Sequence, residues 1–500
     1  MSAVLESAAP TVAADAPIHE GPTAPKRTGA DRKWLGLGVV LAATLMNLLD
    51  ATVVNVAAPA IRADLGGSYS ALQWMAAAYT LTLAAGLLTG GRLGDIFGRK
   101  RMMQIGIVGF VAASVLCAVA WSPEALITAR VLQGLAGAVM IPQGFGLIRD
   151  LFPPQEMGKA FAMFGPAIGL ATILGPIVAG ALVDADLFGT GWRMIFLINV
   201  PLGLFALLVG RFALPAKPPV AKDDKSMDLL GVLIGGSGMF MLVYPLVQGQ
   251  EKGWPVWMFA MLAGAVAVLA GFVAYTLRRT TKGGKAPLVQ LSVFAKRSYS
   301  SGVLFVIVFF GAITGLSMAI GLFLQLGLGF SAMRASLTMG SWALGAFVGS
   351  GISGVVMGKL GRKVLHIGLS IMAVGITGLY FVFANATTDL GSWILVAPFL
   401  VFGLGMGMIF VPLFDIIMGD VKDHEVGSAS SALESMQQLA AALGVAVFGT
   451  VFFSQGGAHM HQQSAVDAVA TTTLIALALT AVAFVLGFLL PKHARQGGGH

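Results

Sequence analysis

The chain has 500 residues, of which 57% are apolar and only 11% charged, with a mean hydropathy of +0.85 and a net charge of +8. Ordinary soluble domains carry about 25% charged residues, so the expected solvent here is a lipid bilayer rather than water. The basic residues form no continuous stripe, which argues against nucleic acid as a partner, and the single cysteine, Cys117, excludes an intrachain disulfide or a cysteine-rich metal site.

Residues 1–33 are Ala/Pro-rich and polar, lack the apolar core of a signal peptide, and read as a disordered cytoplasmic tail. Apolar runs long enough to span a bilayer follow at 34–58, 69–90, 102–121, 125–148, 160–183, 194–214, 228–247, 254–277, 299–326, 335–358, 364–385, 391–418, 428–454 and 468–490. These fourteen spans predict an all-α integral membrane protein, with 491–500 as a second cytoplasmic tail. Of 31 Lys and Arg, 26 fall on the side of the termini, four (Arg62, Arg193, Lys252 and Arg334) on the other, and Arg130 lies within span 4. That asymmetry places both termini in the cytoplasm and the chain, as a multi-pass protein, in the inner or plasma membrane.

Gly98-Arg99-Lys100 follows span 2 and Gly361-Arg362-Lys363 follows span 10, 263 residues later; Glu156-Met157-Gly158 and Glu425-Val426-Gly427 follow spans 4 and 12, 269 residues apart. Such offsets predict two related six-helix bundles, 34–214 and 299–490, with two inserted linker helices at 228–277. Paired bundles facing one another describe an alternating-access transporter with its site near the midplane. Arg130 has Phe399 at the matching position of the second half, and Asp95 has Gly358, so the repeat alone does not require these charges.

Asp50 in span 1 is the first candidate for chemistry. A carboxylate inside a span costs about 2.5 kcal/mol or more and marks a proton or ion pathway, although a fixed structural ion pair is the plainer alternative. Asp50 lies about 13 Å below the outer end of span 1, and Arg130 about 9 Å below the same end of span 4, so the two are expected to touch. Arg130 then serves either the coupling or helix packing alone. Glu434, on span 13, is either a second proton or cation site or a solvated vestibule residue, whereas Asp415 near a span end reads as solvated. Gly86, Gly90, Gly94 and Gly98 recur every four residues, a spacing that permits close helix approach in a moving or a static bundle. Asn47, Asn55, Gln73, Trp74, Tyr79, Gln133, Gln143, Gln325 and Gln437 are candidates to line a cavity, since aromatic faces attract organic cations.

The segment Leu49-Asp50-Ala51-Thr52-Val53-Val54-Asn55-Val56-Ala57-Ala58-Pro59, the loop Gly91 to Arg101 (GRLGDIFGRKR), Arg130-Val131-Leu132-Gln133-Gly134, Gly169 with Gly175-Pro176 and Ala179-Gly180, and Trp192-Arg193-Met194 through Asn199-Val200-Pro201 occur in order on spans 1 to 6. Together they resemble the major facilitator superfamily, and within it the fourteen-helix drug:proton antiporters. Departures are Ala58 for leucine, Ala179 for glycine, Met194 for tryptophan, and the acid Glu434 where an uncharged polar residue is usual. The resemblance implies a proton-coupled exporter of drugs or other small organic molecules. Gly91, Gly94, Asp95, Gly98, Arg99 and Lys100 would form its cytoplasmic gate, and Gly169, Gly175, Pro176 and Gly180 the antiporter motif of helix 5. A facilitator or proton symporter for a nutrient is the alternative on the same fold. A membrane sensor is disfavoured because the longest loops are about twenty residues.

The implied partners are a small amphipathic substrate, protons and lipid, with the protein acting as a monomer. Gly349 to Gly354 fits GxGxxG but lies inside an apolar span with no preceding strand. No GxxxxGK[ST] occurs, and the histidines make no metal set with nearby acids, so no cofactor, ATP-driven step or enzymatic activity is expected.

Overall fold

The computed structural model describes residues 30–153, 156, 175–216, 228–281, 291–385, 390–421, 426–456 and 462–491. The helices are α1 (Ala30–Leu65), α2 (Tyr69–Phe97), α3 (Arg99–Ala118), α4 (Pro123–Met140), α5 (Gln143–Leu151), α6 (Gly175–Ala185), α7 (Met194–Leu197), α8 (Asn199–Ala213), α9 (Leu229–Lys252), α10 (Val256–Thr281), α11 (Arg297–Leu322), α12 (Ala332–Leu360), α13 (Lys363–Ala384), α14 (Ser392–Met418), α15 (Val426–Gly456) and α16 (Gln462–Gly487). Among the described residues eleven helices are long and apolar enough to cross a membrane, and α2, bent by 48° between Leu87 and Thr89, makes a twelfth. The shorter α4 and α6 occupy predicted spans 4 and 5, so each of the fourteen runs carries a helix. The two tails through residue 29 and from 492, and Gly169 with most of span 5, lie outside the described residues.

Span 4, expected as one helix, is two. Pro142 interrupts it between α4 and α5 because its ring nitrogen has no hydrogen to donate. Gln143 repairs the gap from its side chain: Nε2 donates to Val139 O (2.9 Å) and across to Gly90 O on α2 (2.8 Å). A Cβ at Gly90 would sit 1.8 Å from the Ala138 carbonyl oxygen, so only glycine permits α2 and α4 to approach this closely.

Two apolar cores are buried among the described residues, a smaller one within α1, α2, α3, α4, α5 and α8 and a larger one that runs through both halves and is rich in phenylalanine: Phe305 packs on Phe309, and Phe309 and Phe310 meet Phe410 of α14. The halves meet where α2 packs on α15 and where α6 meets α12. The inserted α9 lies against both α2 and α15, while α10 packs on α9 and exposes Val256, Trp257, Phe259, Val266, Val273 and Leu277 on a flank suited to lipid.

The repeated Gly-Arg-Lys turn has a common purpose. Gly98 sits at φ 93° between α2 and α3, where a side chain is strained, and Gly361 at φ 51° opens the matching turn. Lys100 Nζ then donates to the carbonyls of Arg211 (2.7 Å) and Leu214 (2.9 Å) at the end of α8. Arg362 donates to Phe488 O (2.8 Å) and Leu490 O (2.5 Å) at the end of α16. In each half a cation satisfies the orphan carbonyls of the sixth span, where the helix dipole also favours positive charge. Gly98→Ala is expected to cost about 1–3 kcal/mol, read as a lower melting temperature of the purified protein.

Candidate functional site

A polar cluster lies in the centre of the N-terminal half, enclosed by α1, α2, α3, α4 and α8. Asp50 and Arg130 are both fully buried and form a hydrogen-bonded ion pair between Asp50 Oδ2 and an Arg130 terminal nitrogen. The other carboxylate oxygen, Oδ1, accepts from Gln133 Nε2 (2.7 Å) and Asn199 Nδ2 (3.1 Å). Arg130 also donates to Met75 O (2.9 Å) and Gln133 Oε1 (2.8 Å), and its guanidinium lies 4.2 Å from the Tyr79 ring centroid. Ser114 Oγ accepts from Gln133 Nε2 (2.9 Å) and Asn199 Nδ2 (3.2 Å) and donates to Phe110 O (2.8 Å). A buried charge is tolerable only when paired and fully hydrogen-bonded, and α1, α2, α4 and α8 supply those partners here, with Ser114 of α3 bonding the two amides.

The depths read from the sequence thus bring Asp50 and Arg130 together. Ser114 and Asn199, which complete the cluster, went unpredicted. Asn199 was visible as a polar residue within span 6, a signal that usually marks a bundle interior; Ser114 carried no signal, because a serine in a span readily bonds its own preceding turn.

Several residues expected to line a cavity are packed against neighbouring helices. Asn47 is buried with its Oδ1 accepting from the Tyr79 hydroxyl, Tyr79 is fully enclosed between Arg130 and Phe110, and Gln133 belongs to the Asp50 cluster. Gln73 is buried against Gly449 of α15, and Trp74 faces Phe240 and Tyr244 of α9. Gln143 is spent on the α4–α5 break. Asn55, Gln325 and Gln437 remain half-buried, the last with an enclosed Oε1 that lacks a partner.

On α15, Ser435 Oγ donates to Ala84 O of α2 (2.6 Å), whereas Gly444 and Phe448 press on Gly311 and Gly315 of α11. At 100° per residue, Glu434 and Gln438 fall on the face between these contacts. Glu434 is half-buried and accepts from Gln438 Nε2 (2.9 Å). Asp415 is exposed, as expected of a solvated helix end.

At the basic end, Arg99 pairs with Asp95 (3.5 Å) and with Asp150 of α5 (3.7 Å), and Gln143 occupies the space over Gly94. Lys33 pairs with Glu156. These bonds fasten helix ends within the N-terminal half, while Gly91 faces Ser431 of the other half. At the opposite end both seams are closed. Tyr69 stacks on Phe453 (4.2 Å between centroids), and Asp184 Oδ2 accepts from the Met333 backbone amide at the start of α12 (3.0 Å). Gly175 packs on Leu49 and Thr52 of α1, beside Pro176, and a Cβ on Gly180 would lie 2.7 Å from Ala332 O.

The profile of the Major Facilitator Superfamily matches residues 40–445. The chain is 52% identical over 424 residues to the probable actinorhodin transporter of Streptomyces coelicolor, covering 84% of this chain and 73% of that one. It is 33% identical over 446 residues to the tetracenomycin C resistance and export protein of Streptomyces glaucescens, covering 88% and 80%. The crystal structure of an auto-inhibited POT family peptide transporter shares the fold with a TM-score of 0.68 at 12% identity, covering 94% of this chain and 99% of that one. Paired bundles, ordered motifs and a family match across most of the sequence converge: the chain belongs to the major facilitator superfamily, as a multi-pass membrane transporter and not an enzyme.

Proposed function

We propose that the protein exports amphipathic small organic molecules, of the antibiotic kind for which its relatives are named, in exchange for protons. Export is supported by the 33% identical relative named for resistance and export. The observation that carries the coupling is the Asp50–Arg130 pair, buried where an ionisable group is retained only at a cost. The excess of Lys and Arg on one face favours cytoplasmic termini, so cargo leaves the cell through the face opposite the basic loops. The loop motif around Asp95 and Arg99 then serves as the cytoplasmic gate.

A proton entering down a membrane potential yields about 2.3 kcal/mol per 100 mV, or about 1.7 decades of substrate gradient. Substrate entering from the cytoplasmic side displaces a proton from Asp50 or Glu434, and reprotonation follows outward release. A growth-inhibition panel in an efflux-deficient host identifies the cargo. Substrate-induced proton release from the purified protein is the expected result; proton uptake alongside substrate makes the protein a symporter instead.

Glu434 makes no ion pair among the described bonds, which favours a role in attracting cationic cargo. A charged hydrogen bond contributes about 1.5–3 kcal/mol, so Glu434→Gln is expected to weaken export of cationic substrates about tenfold or more while neutral ones are spared. Equal loss for both classes, measured as vesicle uptake, would remove that role.

A further inference from the structure

Asn199 carries an unpaired acceptor at the centre of the N-terminal half. It is fully buried at the start of α8. Its two amide hydrogens are both used, since Nδ2 donates to Asp50 Oδ1 (3.1 Å) and to Ser114 Oγ (3.2 Å). Its Oδ1 is enclosed and has no hydrogen-bond partner. Buried carbonyls without partners are uncommon, and each asks for a physical reason. The carboxylate of Asp50 supplies one. Turning the amide over would set Oδ1 against an anionic oxygen, so the charge holds the amide nitrogen towards itself and strands the carbonyl.

A proton on Asp50 reverses that preference. The neutral acid is a donor, and a buried O–H without an acceptor is unfavourable. The groups facing Asp50 divide clearly. Arg130 of α4 only donates. Tyr79 of α2 already gives its hydroxyl to Asn47 Oδ1, and Cys117 of α3 gives its thiol to Gln133 Oε1 (3.5 Å). Glu434 of α15 is bonded to Gln438 instead (2.9 Å). Among the side-chain amides that already bond Asp50, the acceptors are the carbonyls of Gln133 and Asn199. Gln133 Oε1 already accepts from Arg130 (2.8 Å), and turning that amide over would break this bond together with two Nε2 bonds of 2.7 and 2.9 Å. Turning Asn199 over breaks two longer bonds, gives its stranded oxygen a partner and carries Nδ2 to the enclosed side that Oδ1 leaves.

We propose that Asn199 is the proton-responsive positioning residue of Asp50, presenting its amide nitrogen to the carboxylate and rotating to present Oδ1 to the carboxylic acid. The inference rests on the reading that Asp50 exchanges a proton. The proton stays bonded to Asp50 throughout; Asn199 only accepts a hydrogen bond from it. Because Asn199 begins α8 and Ser114 sits on α3, the change of hydrogen-bond polarity reaches both helices without any change of charge beyond Asp50.

The test is pH-difference infrared spectroscopy of the full chain in lipid, with Asp50→Asn identifying the carboxylic acid band. The expected result is a hydrogen-bonded Asp50 band accompanied by a side-chain amide carbonyl band that shifts on isotopic labelling of asparagine and vanishes in Asp50→Asn. Asn199→Leu should abolish the amide component, raise the Asp50 carbonyl frequency and move the pH midpoint of substrate-induced proton release by about one unit or more, tenfold in proton affinity. Asn199→Ser, whose hydroxyl both donates and accepts, should restore frequency and midpoint towards those of the native protein. An unchanged band and midpoint in Asn199→Leu, even with slower transport, would overturn the inference. Labelling of the unsubstituted protein decides the matter if that variant does not fold, because an asparagine carbonyl that ignores Asp50 protonation also overturns it. Absence of any Asp50 acid band across the pH range would instead sink the coupling reading, and this inference with it.

Discussion

Asp50→Asn is expected to end proton-driven export and, separately, to weaken the fold. The substitution leaves Arg130 fully buried without its counter-ion, and breaking a buried pair from one side costs about 3–5 kcal/mol. Asparagine keeps the shape of the side chain, and the guanidinium retains Met75 O and Gln133 Oε1, so the loss should fall at the lower end of that range. The double variant Asp50→Asn/Arg130→Met removes the stranded cation and should recover most of the stability, because apolar replacement of a whole buried pair is often neutral. Its transport should stay at background. Thermal unfolding of the purified variants and uptake into vesicles under an imposed pH gradient separate the two effects. Full pH-driven transport by Asp50→Asn would show that the proton is carried elsewhere.

A covalent link across the α2–α15 seam is expected to stop turnover. A Cβ built at Gly449 lies 2.9 Å from Gln73 Cγ, which brings the two Cβ positions within about 4.5 Å, the usual reach of a disulfide. Oxidation of Gln73→Cys/Gly449→Cys should therefore lock that end closed, and reductant should restore transport. The native Cys117 is fully buried and does not compete. Undiminished transport by the fully linked protein would mean that this seam does not open during the cycle.

The bundle was legible in the sequence because a membrane imposes simple rules. A span must be long and apolar, and the basic residues mark one side. Depth along a helix was legible too, since a rise of about 1.5 Å per residue sufficed to set Arg130 beside Asp50. Azimuth was not. Gln73 and Trp74 are neighbours in sequence, yet one faces α15 and the other α9. On helices that are apolar all round, no polar stripe declares which side meets lipid, a sister helix or a cavity. The same blindness assigned Gln133, Tyr79 and Asn47 to a cavity, although each is committed to the Asp50 cluster or its flank. It also concealed Ser114, whose neighbours come from α4 and α8, remote in the chain.

The cations at the ends of α8 and α16 carry a mechanical consequence. Through Lys100 the turn after the second span of the first half is buckled to the last span of that half, and Arg362 does the same in the second. Each half is thereby closed into a hoop at its basic rim. A hoop resists splaying of its own members, so strain arriving from a captured guest is diverted to the junctions where one hoop abuts the other.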